Sequence, residues 1–218
     1  MQQSDDQRSE AWFEARLGRA TASRFKDIMS KVRVGEAAAR KNYRAELVSE
    51  RLTHTKEDGF TSSAMQWGIE HEDTARVQYM LASDNDVEEC GFFTHPSLLA
   101  GASPDGLVGE VGVLEIKCPN SATHIETLKT GRVPYQYYWQ VMGQMWITGR
   151  DWCDFVSFDP RMPQNAQLFY TRVHRDEDKI AELEKEIRSF LDEVEREEQF
   201  IKQYNGTPNE VSVTRIQR

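Results

Sequence analysis

Ser103-Pro104-Asp105-Gly106, then Leu107-Val108-Gly109-Glu110-Val111-Gly112-Val113-Leu114, then Glu115-Ile116-Lys117, is the stretch whose reading decides the fold. The apolar, glycine-punctuated middle predicts a turn leading into a strand. Side chains alternate along a strand, so Glu115 and Lys117 share one face while Ile116 packs on the other. A hairpin that folds back brings Asp105 beside that pair. Two carboxylates and a lysine in one place make a magnesium site, with a cation to hold a phosphate or an attacking water. Phosphodiester cleavage needs that set: oxygen ligands for a hard metal, and positive charge against the developing phosphorane. Singly, each motif has an ordinary explanation. Ser-Pro-Asp-Gly makes a good type I turn, and Glu-x-Lys on a strand is often an exposed ion pair. Their order and short spacing favour the site.

At 218 residues the chain fits one large domain with a sizeable core. A hydrophobic content of 39% and a charged content of 29% argue against wholesale disorder. No apolar run approaches the ~20 residues that span a bilayer, so no membrane role is expected. The segment Met1 to Arg8 lacks the apolar stretch of a secretory signal. Cys90, Cys118 and Cys153 are odd in number and widely spaced, which predicts reduced core thiols and a cytoplasmic protein. No paired Cys/His spacing supports zinc. The net charge of −9 runs against DNA binding, but its distribution is uneven. Residues 1–56 hold 12 Lys+Arg against 8 Asp+Glu, with Arg16, Arg19, Arg24, Lys26, Lys31 and Arg33 close together. A positive inner surface under an acidic exterior is one way to confine DNA.

Along the chain the pattern predicts a helix from Glu10 to Leu17 stopped by Gly18, and a second through about Met29 capped by Thr21-Ala22-Ser23. Further helices are expected at 37–53 and from Ser63 to Ala82, the latter with Trp67, Val77 and Leu81 among its apolar contacts. Strands follow near 88–95, 98–103 and 111–118. An aromatic-rich helix then runs from Tyr135 to Thr148, begun near Pro134, before strands at 152–158 and 167–174. In the last helix, about 176–203, Ile180, Leu183, Ile187, Leu191 and Val194 recur at heptad-like intervals and predict packing on the core. The expected architecture is α/β, one domain over 1–218, with a mixed central sheet flanked by helices.

Three other segments bear chemistry. Glu70 and Glu72 are two apart and ~200° round a helix axis, so one can face the metal site while the other is solvated. His71 reads as structural, because acidic phosphodiester sites select magnesium over metals that favour imidazole. Arg16 precedes the Thr21–Ser23 helix start, where a guanidinium and free N–H groups could clamp a phosphate; a capped helix with a surface arginine is the competing reading. Gln140 and Gln144, four apart on an otherwise core-like helix, could reach into a cleft.

Asp105, Glu115 and Lys117 together resemble the PD-(D/E)xK nuclease core. A narrower resemblance covers Trp12 to about Met162. Arg16-Leu17-Gly18 with Thr21-Ala22-Ser23, Trp67-Gly68 with Glu72, Ser103 to Gly106, Leu114 to Pro119, Gln140 to Trp146, and Phe158 to Met162 are similar, in order, to the lambda-type phage exonucleases. These are also called the viral recombinase or alkaline exonuclease family. The resemblance implies a restriction-endonuclease-like core and a toroidal homotrimer that degrades one strand of duplex DNA 5′ to 3′, leaving a 3′ single-stranded tail. It also implies a phage or prophage recombination system in a bacterial host, with a single-strand annealing protein as partner. By resemblance, Asp105 bridges two magnesium ions, Glu115 and the Ile116 carbonyl complete the tighter site, and manganese substitutes. Lys117 acts on the attacking water, and Glu72 sits in the second metal's water shell. Arg16, Ser23, Ser103 and Gln140 are implied as a 5′-phosphate pocket. A site-specific or structure-specific endonuclease on the same core, and a noncatalytic DNA-end scaffold, remain as alternatives.

Overall fold

The computed structural model describes residue 7 and residues 9–56 and 62–206. The two ends of the expected 1–218 domain lie outside these, as does most of the Met1–Arg8 segment. The centre of the molecule is a parallel pair, β6 (Gly112–Lys117) against β7 (Trp152–Phe158), with Glu115 opposite Phe155 and Lys117 opposite Ser157. Both strands are buried almost throughout, as a parallel pair covered on two faces must be. β5 (Gly106–Val108) adds antiparallel to β6, β2 (Val87–Glu88) to β5, and β8 (Leu168–His174) to β7. The result is a mixed five-stranded sheet, β2-β5-β6-β7-β8. A second, three-stranded sheet joins β1 (Ala20–Thr21), β4 (Ala100–Ala102) and β3 (Phe93–Thr94) in the order β1-β4-β3.

Alternation on β6 and β7 divides the core in two. Val113, Cys153 and Phe155 pack with α2 (Phe25–Ile28), α3 (Ala38–Thr53), α6 (Tyr135–Thr148) and α7 (Glu177–Lys202). Leu114, Ile116, Val156 and Phe158 pack with Ala75 and Tyr79 of α4 (Ser63–Ser83). A parallel crossover needs a dozen or more residues, and α5 (Ser121–Thr130) with α6 supplies it between β6 and β7.

α7 lays Ile180, Leu183, Ile187, Leu191 and Val194 into the core as the stripe predicts, together with Phe190. Ion pairs flank that seam: Arg40 to Glu193 at 2.7 Å, and Arg44 to Glu193 at 3.1 Å and to Glu197 at 2.7 Å. Arg24 pairs with Glu46 at 2.9 Å and with Asp27 at 2.6 Å. Much of the N-terminal basic excess is therefore neutralised within the molecule.

Several expectations are corrected. The stretch 88–95 is not one strand: β2 and β3 are two-residue strands in different sheets. Val77 and Leu81 are exposed, at 53% and 76%; α4 instead buries Ala75 and Tyr79. The segment after Thr21 begins as a 3₁₀ turn, Ala22–Arg24, before α2, and the Thr21 side chain caps nothing. Its hydroxyl lies 3.3 Å from that of Ser23. α1 (Glu10–Arg16) ends as expected, just before Gly18 in the left-handed region at φ 68°. The sequence pattern does not predict α5. The three cysteines are free thiols, Cys90 and Cys153 buried. Among the described residues no helix is long and apolar enough to cross a membrane.

Glycines 101 and 68 give a test of this packing. A Cβ on Gly101, in β4, would stand 2.2 Å from the Phe92 ring and 2.5 Å from the Phe93 carbonyl oxygen, which cannot move aside without breaking β3–β4 pairing. A Cβ on Gly68, inside α4, meets nothing within 4 Å. Gly101→Ala is expected to lower stability by about 1–3 kcal/mol. Gly68→Ala is expected to raise it by up to about 1 kcal/mol through helix propensity. Urea unfolding of both variants measures the contrast.

Candidate active site

Asp105 is set by two backbone contacts to β6. Its N–H donates to the Leu114 carbonyl at 2.9 Å, and its Oδ2 accepts the Ile116 N–H at 2.6 Å. The Ser103–Gly106 turn thus folds its carboxylate onto β6 between Glu115 and Lys117. Glu115 lies on the β6 face that α6 covers and is 1% exposed. A carboxylate there must be fully paired, and three donors converge on it. Gln140 Nε2 donates to Oε1 at 2.5 Å, Gln144 Nε2 donates to Oε2, and Lys117 Nζ pairs with Oε1. The two glutamines, one helical turn apart, reach the same carboxylate.

Electrostatics follow from this crowding. Burial, and then the charge of Glu115, push the Asp105 carboxyl well above the usual carboxylate range; Glu72 adds to this, while Lys117 and the Ile116 amide oppose it. Burial pulls the Lys117 pKa down, but Glu115 and Asp105 outweigh it and raise the ammonium above its ordinary value. Glu72, on α4, lines the same cavity as Asp105, Glu115 and Lys117, a space of about 970 Å³. Glu70 is exposed and accepts from Gln66 at 2.9 Å, so the two glutamates divide between cavity and solvent. His71 stacks on Trp67, with ring centroids 3.7 Å apart, and its Nδ1 lies 3.0 Å from the Trp67 carbonyl.

Arg16 belongs to an adjoining pocket of about 140 Å³, shared with Ser23, Ser103 and Gln140. Its Nη1 is 3.5 Å from Ser103 Oγ, and Trp12 Nε1 donates to that same oxygen at 2.8 Å. The guanidinium lies over Trp12 at 4.1 Å and Phe92 at 5.4 Å. Burial lowers its pKa to about 10. Among the described residues no carboxylate forms a salt bridge with it. A half-buried cation of this kind calls for an anion. The α2 segment is too short to add a helix dipole, so the expected contribution of a helix start is withdrawn.

Residues that sequence reasoning did not place here are Trp12, which lines both spaces, and the pair Trp67 and Arg161 on the wall of the larger one. Arg161 sits over the Trp67 ring at 4.3 Å. Its signal was available only as Asp159-Pro160-Arg161 in the matching blocks. A separate cleft of about 900 Å³ between α3 and α7 is walled by Arg40, Arg44, Glu193 and Glu197, already paired with one another. That cleft is a braced seam.

Residues 11–151 match the YqaJ-like viral recombinase domain. Two crystal structures of the alkaline exonuclease LHK-Exo from Laribacter hongkongensis superpose with TM-scores of 0.84 and 0.83, the former in complex with dAMP. Both are 50% identical and cover 89% of this chain and 96% of theirs. A phage-related exonuclease from Haemophilus somnus shares the fold, with a TM-score of 0.66 at 15% identity over 84% of this chain and 95% of that one. A search of curated protein sequences gave no significant match. The α/β core with its mixed sheet is the one these exonucleases use, and the chain belongs to the YqaJ-like viral recombinase family.

Proposed function

We propose that this protein is a magnesium-dependent 5′–3′ exonuclease that degrades one strand of duplex DNA and leaves a 3′ single-stranded tail for phage-type recombination. The observation that carries it is the Asp105 carboxylate held on the Ile116 amide beside Glu115 and Lys117. LHK-Exo, half identical over most of the chain, supports the reaction class, and the dAMP bound to it is the kind of product such an enzyme releases.

The donor set fits a hard cation. Asp105 and Glu115 offer carboxylate oxygens; burial and then the charge of Glu115 push Asp105 up, and a cation would offset both. Among the described residues no three such side chains form a closed cage, so waters would complete the shell. Asp105, Glu115 and the Ile116 carbonyl would hold magnesium, two ions per site, with Glu72 at the second one's waters; manganese would substitute. When bound, the metal supplies Lewis-acid charge for the phosphate and acidifies water. Within that frame Lys117, held on Glu115, would set its positive charge beside the attacking water and the developing negative charge. Gln140 and Gln144, each donating to one oxygen, keep Glu115 oriented.

The Arg16 pocket would take the 5′-terminal phosphate, with Ser23, Ser103 and Gln140 as further donors. Ser103 lies two residues before Asp105, so the pocket sits about one nucleotide from the scissile linkage. The assembly we propose is a ring of three chains around the DNA, because an acidic chain cannot hold DNA by its field alone and enclosure can. Its partner would be a single-strand annealing protein, in the bacterial cytoplasm.

Asp105→Ala and Lys117→Ala are expected to lower the magnesium-dependent rate roughly 10³-fold or more while DNA binding persists. Calcium is expected to support binding without turnover. End-labelled linear duplex, run beside closed circular duplex, measures this; cutting of the circle would mean an endonuclease, and a near-wild-type Lys117→Ala would remove the assignment.

Arg16→Ala is expected to slow 5′-phosphorylated ends about tenfold or more, and 5′-hydroxyl ends much less. Single-turnover rates on the two substrates check it, and an unchanged preference would make Arg16 a packing residue. Light scattering at micromolar concentration is expected to give the mass of three chains. A monomer that digests processively would contradict the ring.

A further inference from the structure

Arg161 stands in the connection between β7 and β8, on the wall of the cavity that holds Asp105, Glu115 and Lys117. Its guanidinium is fixed on two sides. Asp159, fully buried, accepts from Nε at 2.7 Å and from Nη2 at 3.0 Å, and also from the Arg161 backbone N–H at 3.0 Å. The flat face lies over Trp67, itself stacked on His71.

The loop that carries Arg161 is held as firmly. Gln167 Nε2 donates to the Pro160 carbonyl at 2.9 Å and the Met162 carbonyl at 3.1 Å, and the Asp159 N–H donates to the Gln167 carbonyl at 2.9 Å. Pro160 and Pro163 restrict its backbone further. Yet the Arg161 side chain remains 46% exposed, and its Nη1 makes no hydrogen bond among the described residues. A brace for Asp159 alone would need neither the aromatic stack nor an open Nη1. A guanidinium so pre-organised loses little entropy on meeting a second anion.

The cavity gives that anion a place. Trp12 and Gln140 line both the Arg16 pocket and the larger cavity, so the two spaces abut there. Arg161 lines only the larger one, with Trp67 and Pro119 near it. A strand with its 5′ phosphate at Arg16 and its first linkage at Asp105 and Glu115 continues toward the wall that Arg16 does not share. Lys117 is already engaged by Glu115, which leaves Arg161 as the side chain there with a free guanidinium N–H.

We propose that Arg161 binds the backbone phosphate next to the scissile linkage on its 3′ side, in the strand being cut. The proposal rests on the exonuclease reading above. It makes the site a three-phosphate ruler: Arg16 for the terminal phosphate, the metal site for the scissile one, Arg161 for the one after it.

The test is a substrate cycle. A 5′-phosphorylated duplex carries an uncharged methylphosphonate at the second internucleotide linkage, or at the third as control. Single-turnover release of the first nucleotide is measured for wild type and Arg161→Gln. The second-linkage substitution is expected to slow wild type about tenfold. Arg161→Gln is expected to be slowed similarly on all-phosphate DNA, with no further loss at the second linkage and an ordinary, additive loss at the third. Equal losses at the second linkage in wild type and variant would overturn the proposal and leave Arg161 a loop brace. Should Arg161→Gln unfold because Asp159 is left buried without its cation, the double variant Asp159→Asn/Arg161→Gln removes that charge and runs the same comparison. Failure of wild type to release any nucleotide from unmodified duplex in magnesium would instead overturn the exonuclease reading itself.

Discussion

The buried charge of Glu115 is the constraint from which the rest of the site follows. An isolated carboxylate taken out of water is too unfavourable to survive as an anion; it either takes a proton or gathers donors. Here it gathers donors from two elements: Lys117 from its own strand, and Gln140 with Gln144 from α6. That requirement fixes the rotation of α6, since both glutamines must face β6 while Val141, Met142 and Met145 enter the core. Close approach is needed as well. A Cβ on Gly143 would stand 2.4 Å from the Phe25 ring, so the residue between the two glutamines' turns must be glycine for α6 to sit against α2. Local charge satisfaction and global packing are one arrangement.

Such an arrangement is poised and unfinished. Burial and then the Glu115 charge destabilise the ionised Asp105 carboxyl, while that same charge stabilises the Lys117 ammonium against its burial. A site that only needed stability would have replaced this cluster by apolar side chains of the same volume, which is often neutral or favourable. Two carboxyl groups kept together out of water are what the proposed cation site would require before its cation arrives. The strain resides on a rigid platform, with β6 paired on both edges, so it cannot relax by moving the strand.

What could be read from the sequence was what local chemistry dictates. The Asp105, Glu115 and Lys117 set was legible because turn, spacing and strand alternation act within a few residues. The α7 stripe was legible because five apolar residues repeat against a charged background. β2 and β3 were not, since two-residue strands have no periodicity and exist only through partners elsewhere in the fold. α5 was missed because Ser121–Thr130 is rich in threonine and nearly without an apolar stripe; its buried anchors are His124 and Thr127. His124 is held by Ser157 Oγ at 2.7 Å and the Ala166 carbonyl at 2.8 Å, contacts from distant strands and turns that no local pattern announces. Val77 and Leu81 misled for the opposite reason: they are apolar, but the small Ala75 and the phenol of Tyr79, bonded to Asp154 at 2.6 Å, face the sheet instead.

The distribution of charge explains how an acidic protein could work on DNA. Counting basic residues along the first quarter suggested a positive surface, yet Arg24, Arg40 and Arg44 turn out to be engaged by glutamates of α3 and α7 or the turn before α3. The cations that face the site's cavities are few and individually held: Arg16 by Trp12 and Phe92, Lys117 by Glu115, Arg161 by Asp159 and Trp67. Diffuse basic surfaces bind many phosphates and release many counterions, which makes them tight at low salt and indifferent to position. On the proposed reading, three fixed cations would bind few phosphates, but only in one register. An enzyme that must advance one nucleotide per cut gains from that exchange, because weak, position-specific contacts can be released and remade at each step, whereas a broad electrostatic grip would have to be broken as a whole.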